Sequence, residues 1–234
     1  SSDVCSSDLT TDKVMTSKVR AINDSYHGIL FQKINAIEGN FLTLSRNDRE
    51  RLFKDTELIM DFSTSIAVER KLADEEHTFR RCTSLLNPKG DDVVLLIEDK
   101  DRNSRLDLLE MDYYRNLIVD ERFALHLEQS GTVRTNTFSC RSESMILNYE
   151  NVRVLSAIIS KQIRKYYTLG QACLSIWHFD AEKGTVSSLP MTITNWHHEV
   201  LGDIQVYISD AVEKEIQTMT FTSPNKGNWR LFVW

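Results

Sequence analysis

The chain has 234 residues, of which 41% are hydrophobic and 26% are charged, and its formal net charge at pH 7 is −6. This composition is that of a globular protein with enough apolar material for a core, and the lack of a long basic run argues against a nucleic-acid-binding surface. Only eight glycines and three prolines are present, and no two glycines lie closer than eleven residues apart. The sequence therefore excludes collagen-like and proline-rich proteins, and it contains no glycine-rich phosphate-binding loop.

Membrane, secretion and disulfide signals are missing as well. No apolar run reaches the roughly 20 residues that span a bilayer, and the first residues show no basic start followed by an apolar stretch. The four cysteines are widely spaced and form no C-x-x-C pair, which argues against a structural zinc site and against a disulfide scaffold. We therefore predict a reduced, cytoplasmic protein that binds neither nucleic acid nor membrane.

Both ends of the sequence differ in character from the rest. Residues 1–9 read SSDVCSSDL, which is either a disordered polar tail or a translated sequencing artefact, because codons for residues 5–9 can spell the end of a common library adapter. Residues 226–234 are expected to be a frameshifted tail. Codons that are permitted for these residues, when read one base later, can encode a different peptide that contains Glu-Thr-Gly-Gly. On this interpretation Cys5 has no role.

The first elements are predicted from the spacing of apolar residues. They are, in chain order, a helix, a strand, a helix, a strand and a helix, at 13–23, 29–37, 46–54, 57–61 and 66–72. Asp61 ends the second strand, and the serines and threonine that follow it have the chemistry of a helix N-cap. This order is an α/β unit whose acid lies at the carboxyl end of a strand, where ligands bind in open parallel sheets.

The rest of the chain is predicted to alternate between hairpins and helices. Asn87-Pro88-Lys89-Gly90 is a strong turn signal between two apolar runs and therefore predicts a hairpin. Long helices are expected at 105–127 and at 151–167, the second with its apolar face in the core. The polar stretch at 192–202 is predicted to be a linker. The predicted strands lie at 79–86, 93–98, 173–180, 185–189 and 203–209, and a short helix is expected at 210–219.

A family resemblance is carried by residues 58–70, which read LIMDFSTSIAVER. This apolar strand, Asp, polar turn and helix resembles the carboxyl half of a ThiF-type adenylyltransferase, the nucleotide-binding module shared with ubiquitin-activating enzymes. The resemblance extends more weakly through NPKG, LEMDYYR and CRSES, over residues 10–191. It implies an α/β fold, namely a partial ThiF-type, Rossmann-like sheet with helices that lacks its N-terminal glycine-rich βαβ unit.

The resemblance implies roles for Asp61 and Lys13. In the family an Asp at this strand end helps to bind Mg²⁺ and the phosphates of ATP, and a carboxylate suits Mg²⁺, which prefers oxygen ligands. Lys13 matches the lysine that neutralises the nucleotide's phosphates. ATP and Mg²⁺ are thus the expected cofactors, with Asp61 as the metal ligand. The alternatives are that Asp61 only ends a strand or caps a helix, and that Lys13 is an exposed helix lysine.

Cys140 is the candidate catalytic residue. It lies beside Arg141 in a loop before the second long helix, a setting that can lower the pKa of a thiol. In the family a cysteine can accept the activated carboxyl group as a thioester. The alternative is a buried structural cysteine, because no histidine that could serve as a base is close in sequence. Cys82 and Cys173 lie in strand-like apolar runs and are expected in the core.

Residues 203–225 resemble the opening strand and helix of a JAB/MPN-type metallopeptidase domain. The zinc ligands of that family, a His-x-His pair and a later Asp, do not occur here, so zinc is expected only in the missing part of such a domain. His197 and His198 are adjacent and cannot replace the pair. The sequence is therefore predicted to divide into residues 1–9, 10–191, 192–202, 203–225 and 226–234.

Together these features predict a fragment of a bacterial adenylyltransferase that activates the C-terminal carboxylate of a ubiquitin-like or sulfur-carrier modifier protein. The chain itself is expected to be inactive, because half of the ATP site is absent from the sequence. The resemblance also suggests a homodimer. One alternative is a non-catalytic α/β module that docks a protein partner, and another is an unrelated α/β domain whose Asp-Ser-Thr turn only caps a helix.

Overall fold

The computed structural model describes residues 40–63, 65–75, 78–128, 133–135, 143–145, 148–201, 204–210 and 229–233. The α-helices found there are α1 (Arg46–Phe53), α2 (Ile66–Asp74), α3 (Leu106–Val119) and α4 (Tyr149–Leu169). The strands are β1 (Leu58–Asp61), β2 (Arg80–Leu86), β3 (Asp92–Ile97), β4 (Val133–Thr135), β5 (Glu143–Met145), β6 (Cys173–Asp180), β7 (Thr185–Pro190), β8 (Trp196–Leu201), β9 (Ile204–Ser209) and β10 (Trp229–Val233). Within this part of the chain, none of the helices is long and apolar enough to cross a membrane.

The largest unit is a mixed five-stranded sheet in the order β1-β2-β3-β6-β7. β1 and β2 are parallel and are connected through α2, whereas the other neighbouring pairs of the sheet are antiparallel. The turn from Asn87 to Gly90 joins β2 to β3, which confirms the predicted hairpin. The chain is therefore an α/β protein, as the sequence predicts. β8, β9 and β10 form a smaller sheet, and β4 pairs with β5.

The two faces of the large sheet are covered by different helices. Alternate residues of a strand point to opposite faces. On one face Val93, Leu95 and Ile97 of β3 belong to a core cluster that includes residues of α4. On the other face Val94 and Leu96 belong to a cluster that includes residues of α3. Full burial of each such aliphatic side chain stabilises the fold by about 1.5–3 kcal/mol, so these two layers carry most of the core.

α2 packs beside α3, and α1 packs with α2 against the β1 end of the sheet. Phe53 of α1, Leu72 of α2 and Phe79 form a third core cluster, in which the rings of Phe53 and Phe79 have centroids 4.7 Å apart. Ile59 of β1 packs against the same cluster. Asp61 lies two residues further along β1 and therefore points to the same face as Ile59.

The C-terminus of α4 is fixed by Arg80. Gly170 ends the helix in the left-handed conformation, with φ of 68°, as is common at helix C-termini. The Arg80 guanidinium donates to the carbonyl oxygens of Tyr166, Tyr167 and Gln171, and also to that of Glu98. A buried cation thus satisfies carbonyl groups that the end of the helix leaves without helical partners.

The structure differs from the sequence prediction in two described segments. α3 ends at Val119 rather than at residue 127, because the Asp120 side chain accepts the N–H of Arg122 and starts a short 3₁₀ helix at Glu121–Phe123. The segment predicted as a linker, 192–202, contains β8, and Thr194 donates to the Asp112 carboxylate of α3 through both its N–H and its hydroxyl group. Residues 229–233, within the predicted frameshifted tail, form β10.

Several predicted segments lie outside the described residues. They include the helix at 13–23, the strand at 29–37 and nearly all of the helix at 210–219. The predicted helices that begin near residues 46, 66 and 151 are confirmed, and so are the strands at 173–180 and 185–189. Where the domains divide stays a prediction.

Candidate functional site

Asp61 lies at the carboxyl end of β1, where the parallel βαβ unit turns towards α2. Its side chain is largely buried, and its Oδ1 accepts the backbone N–H of Ser63 at 2.8 Å. Its carbonyl oxygen accepts the hydroxyl group of Thr83, on the neighbouring strand, at 2.9 Å. The backbone around Asp61 is therefore tied to β2 on one side and to the polar turn on the other.

The first turn of α2 lies four to five residues after Asp61. Ser65 is the N-cap residue, and its side chain makes no capping hydrogen bond to this helix. The first backbone N–H groups of an α-helix have no partner within the helix, so such a turn can bind a phosphate or another anion. Asp61 and the start of α2 thus place an acid and a set of amide donors next to each other.

A group of carboxylates lies between α2 and α3, close to Asp61. Burial, reinforced by the negative charge of Glu110, raises the pKa of Glu69 to about 7, and Asp61 and Asp107 act in the same direction. Burial also raises the pKa of Glu110, although Arg70 opposes this through an ion pair of 2.7 Å. A carboxyl group that titrates near neutral pH can donate or accept a proton during a reaction.

Of the requirements of the nucleotide site predicted from the sequence, Asp61 meets the one for a metal ligand. Mg²⁺ takes only one or two carboxylates from a protein and completes its shell with water and phosphate oxygens, so Asp61 is a suitable ligand. The phosphates themselves need positive charge. Arg70, on the first turns of α2, is already paired with Glu110, and Lys13 lies outside the described residues.

Of the three site residues predicted from the sequence, only Asp61 is described. Lys13 and Cys140 lie outside the described residues, so their positions relative to Asp61 stay predictions. The two described cysteines, Cys82 and Cys173, are buried free thiols, as predicted. Burial raises the pKa of both, that of Cys82 to about 12, and such thiols are inert as nucleophiles.

A second polar cluster, which the sequence analysis missed, lies on the α3 side of the sheet where β3 begins. Asp92 accepts hydrogen bonds from two histidines, with Oδ2 at 2.7 Å from Nδ1 of His126 and Oδ1 at 2.7 Å from Nδ1 of His178. Nε2 of His126 lies 3.1 Å from the hydroxyl oxygen of Tyr113. Burial alone would raise the pKa of Asp92, but the hydrogen bonds from both histidines outweigh it and hold this pKa below its usual value.

The strand register separates this cluster from Asp61. Asp61 pairs with Thr83 and Thr83 with Leu96, whereas Asp92 lies four residues before Leu96. Four residues of strand and two strand spacings place the two carboxylates about 16 Å apart. The sequence signal for this cluster was the pair Asp91-Asp92 directly after the turn. That His178 lies beside this pair could not be predicted without the β3–β6 register.

A largely buried ion network lies at the opposite end of β3. The Glu98 carboxylate accepts from the guanidinium groups of Arg81 and Arg102 and from the backbone N–H groups of Arg81 and Leu106. Neither Arg81 nor Glu98 is exposed to solvent. We interpret this network as structural, because it joins β2, β3 and the start of α3 around two unexposed side chains.

No protein-family model matches this chain, and a search of curated proteins finds no significant match.

Proposed function

We propose that this chain is part of a ThiF-type adenylyltransferase, which uses ATP and Mg²⁺ to activate the C-terminal carboxylate of a ubiquitin-like or sulfur-carrier modifier protein. The observation that carries the proposal is the parallel β1-α2-β2 unit, with Asp61 at its carboxyl edge and an uncapped first turn of α2 beside it. Ligands of open α/β sheets bind at this edge. The family assignment itself rests on the resemblance of residues 58–70.

In such a reaction a carboxylate oxygen of the modifier attacks the α-phosphorus of ATP. The bond between this phosphorus and the bridging oxygen of the β-phosphate breaks, and pyrophosphate leaves. Mg²⁺, when bound, offsets the negative charge of the phosphates. The role of Asp61 is to hold that ion, and the role of the α2 amides is to orient phosphate oxygens.

Two further roles belong to the proposal. Lys13 would neutralise phosphate charge, and Cys140 would accept the acyl group as a thioester, releasing AMP. This chain contains no glycine-rich loop, so we expect it to catalyse no ATP–pyrophosphate exchange on its own. Exchange activity in residues 10–234 would contradict this expectation.

The test is equilibrium binding of ATP in the presence of Mg²⁺. We expect weak, Mg²⁺-dependent binding that falls at least tenfold in Asp61→Asn. Asp101→Asn, which changes an exposed carboxylate in another loop, is the matched control and should bind ATP as the wild type does. Equal affinity of the wild type and Asp61→Asn would argue against a nucleotide site at Asp61.

The alternative is a non-catalytic interaction module, and one observation favours it. A groove of about 500 Å³ lies between α4 and the β1 end of the sheet. Met60 and Phe62 line it together with Ile159 and Ile163, and the first two are 52% and 55% exposed. An apolar segment of a partner protein would cover these side chains. ATP binding that does not depend on Asp61, together with protein binding that is lost in Phe62→Ser, would favour this alternative.

A further inference from the structure

Three side chains that commonly bind metals meet where β3 begins and β6 ends. Asp91 and Asp92 follow the β2–β3 turn, and His178 is paired with Asp92 in the β3–β6 register. One carboxylate oxygen of each aspartate and one ring nitrogen of His178 lie within 4.8 Å of one another. Among the described residues, this is the one group of three such ligands.

Buried side chains form hydrogen bonds to both carboxylates. The amide nitrogen of Asn87, which is 3% exposed, donates to Oδ1 of Asp91 at 2.7 Å and to Oδ2 of Asp92 at 3.2 Å. His126, whose side chain is 2% exposed, donates from Nδ1 to the same Oδ2 of Asp92, and its Nε2 accepts the hydroxyl group of Tyr113. In metal sites the ligating carboxylates are oriented by partners of this kind.

The backbone of the group is fixed as well. The Asn87 side-chain oxygen accepts the backbone N–H groups of Gly90, Asp91 and Asp92 at 2.9, 3.1 and 3.0 Å. The N–H of Phe179, the residue after His178, donates to the carbonyl oxygen of Asp91 at 2.7 Å. The two strands are therefore held at a set distance beside His178. Two ligands that each lie about 2.1 Å from one ion are farther apart than the 2.7 Å between Nδ1 of His178 and Oδ1 of Asp92. Metal binding therefore replaces this hydrogen bond, and the partly exposed imidazole is able to move for it.

We propose that Asp91, Asp92 and His178 bind a divalent transition metal ion of the Zn²⁺ type. One imidazole nitrogen and two carboxylate oxygens suit Zn²⁺, Mn²⁺ or Fe²⁺, whereas Mg²⁺ and Ca²⁺ prefer oxygen ligands alone. The imidazole is 40% exposed, so three protein ligands leave a position for water or for an oxygen atom of an external ligand. The site lies about 16 Å from Asp61 and does not depend on the proposed function.

The test is calorimetric titration of the full chain with ZnCl₂, and with MgCl₂ for comparison. We expect one Zn²⁺ per chain at this site, and an affinity for Mg²⁺ at least tenfold lower. Asp91→Asn and His178→Ala should each weaken Zn²⁺ binding at least tenfold. Asn87→Ala should weaken it about 10- to 100-fold, because the carboxylates lose their orienting partner. His198→Ala is the matched control, since that imidazole stacks on Tyr207 in the smaller sheet, and it should leave this affinity unchanged.

Two results would overturn the proposal. One is the absence of saturable Zn²⁺ binding to the wild-type chain. The other is binding that survives both Asp91→Asn and His178→Ala, because the ion would then be held by other histidines or thiols. Circular dichroism and thermal melting without metal check the fold of each variant. Asp91→Asn keeps a side-chain oxygen that can accept the hydrogen bond from Asn87, so we expect this variant to fold. It therefore tests the proposal even if His178→Ala or Asn87→Ala fails to fold.

Discussion

Replacing Glu69 with glutamine is expected to stabilise the protein above neutral pH and to leave its stability unchanged in acid. Burial, followed by the charge of Glu110, raises the pKa of the Glu69 carboxyl from 4.5 to about 7. The folded protein therefore keeps this proton over a range in which the unfolded chain has released it. The stability linked to Glu69 is fully present below about pH 4.5 and is lost as the pH rises through about 7.

The magnitude follows from the two pKa values. One pKa unit corresponds to about 1.4 kcal/mol, so a rise from 4.5 to about 7 sets an upper limit of roughly 3 kcal/mol at pH 8.5. Partial access of solvent to Glu69 reduces this limit. Glutamine has nearly the same shape and carries no charge to desolvate. We therefore expect Glu69→Gln to raise the free energy of unfolding by about 1–3 kcal/mol at pH 8.5, and by less than about 0.5 kcal/mol at pH 4.

The assay is urea unfolding of the wild type and the variant at both pH values, followed by circular dichroism. Glu182→Gln, in the exposed turn between β6 and β7, is the matched control and should change stability at neither pH. If Glu69→Gln lowers the stability at pH 8.5, Glu69 is ionised and favourably paired in the folded protein. The reasoning from burial and from the Glu110 charge would then be wrong.

Two further predictions concern the core. Arg80→Met should lower the free energy of unfolding by about 3 kcal/mol, because four buried or partly buried carbonyl oxygens lose a charged donor. Arg164→Met, on the exposed face of α4, is the control. It should change the free energy of unfolding by less than about 0.5 kcal/mol in the same urea assay. The buried thiols of Cys82 and Cys173 should resist iodoacetamide at pH 8 in the folded protein and react with it in urea. Mass spectrometry of the cysteine-containing peptides measures the labelling. Labelling of either thiol in the folded protein would contradict its burial.

The elements that the sequence predicted well are those whose signals are local. The turn Asn87-Pro88-Lys89-Gly90 combines a residue whose side chain caps three backbone N–H groups with a proline and a glycine, so the hairpin could be identified without tertiary information. The apolar stripe of α4 places Leu155, Ile159 and Ile163 on one face, and all three are buried. The position of Asp61 followed from the order of a strand, a polar turn and a helix.

The features that were missed depend on contacts between distant residues. Leu125 and Leu127 extend an apolar pattern beyond α3, yet both are exposed, because the Asp120 cap turns the chain and buries Phe123 and His126 instead. The strand β8 was taken for a linker because its sequence is polar. Its position follows from hydrogen bonds between Thr194 and Asp112 of α3, 82 residues apart in the chain, which no local pattern reports.

Two polar clusters at one end of the sheet raise the question of whether they could serve a single site. β1 ends four residues short of the level of Asp92, which leaves Asp61 about 16 Å from Asp92 and about 20 Å from His178, one strand further along the sheet. Substitutions more than about 10 Å apart that share no partner add independently within about 0.5 kcal/mol. Asp61→Asn should therefore leave Zn²⁺ affinity unchanged, and His178→Ala should leave ATP binding unchanged. A double variant whose losses do not add would show that the two clusters share a ligand, and the separation derived from the strand register would then be wrong.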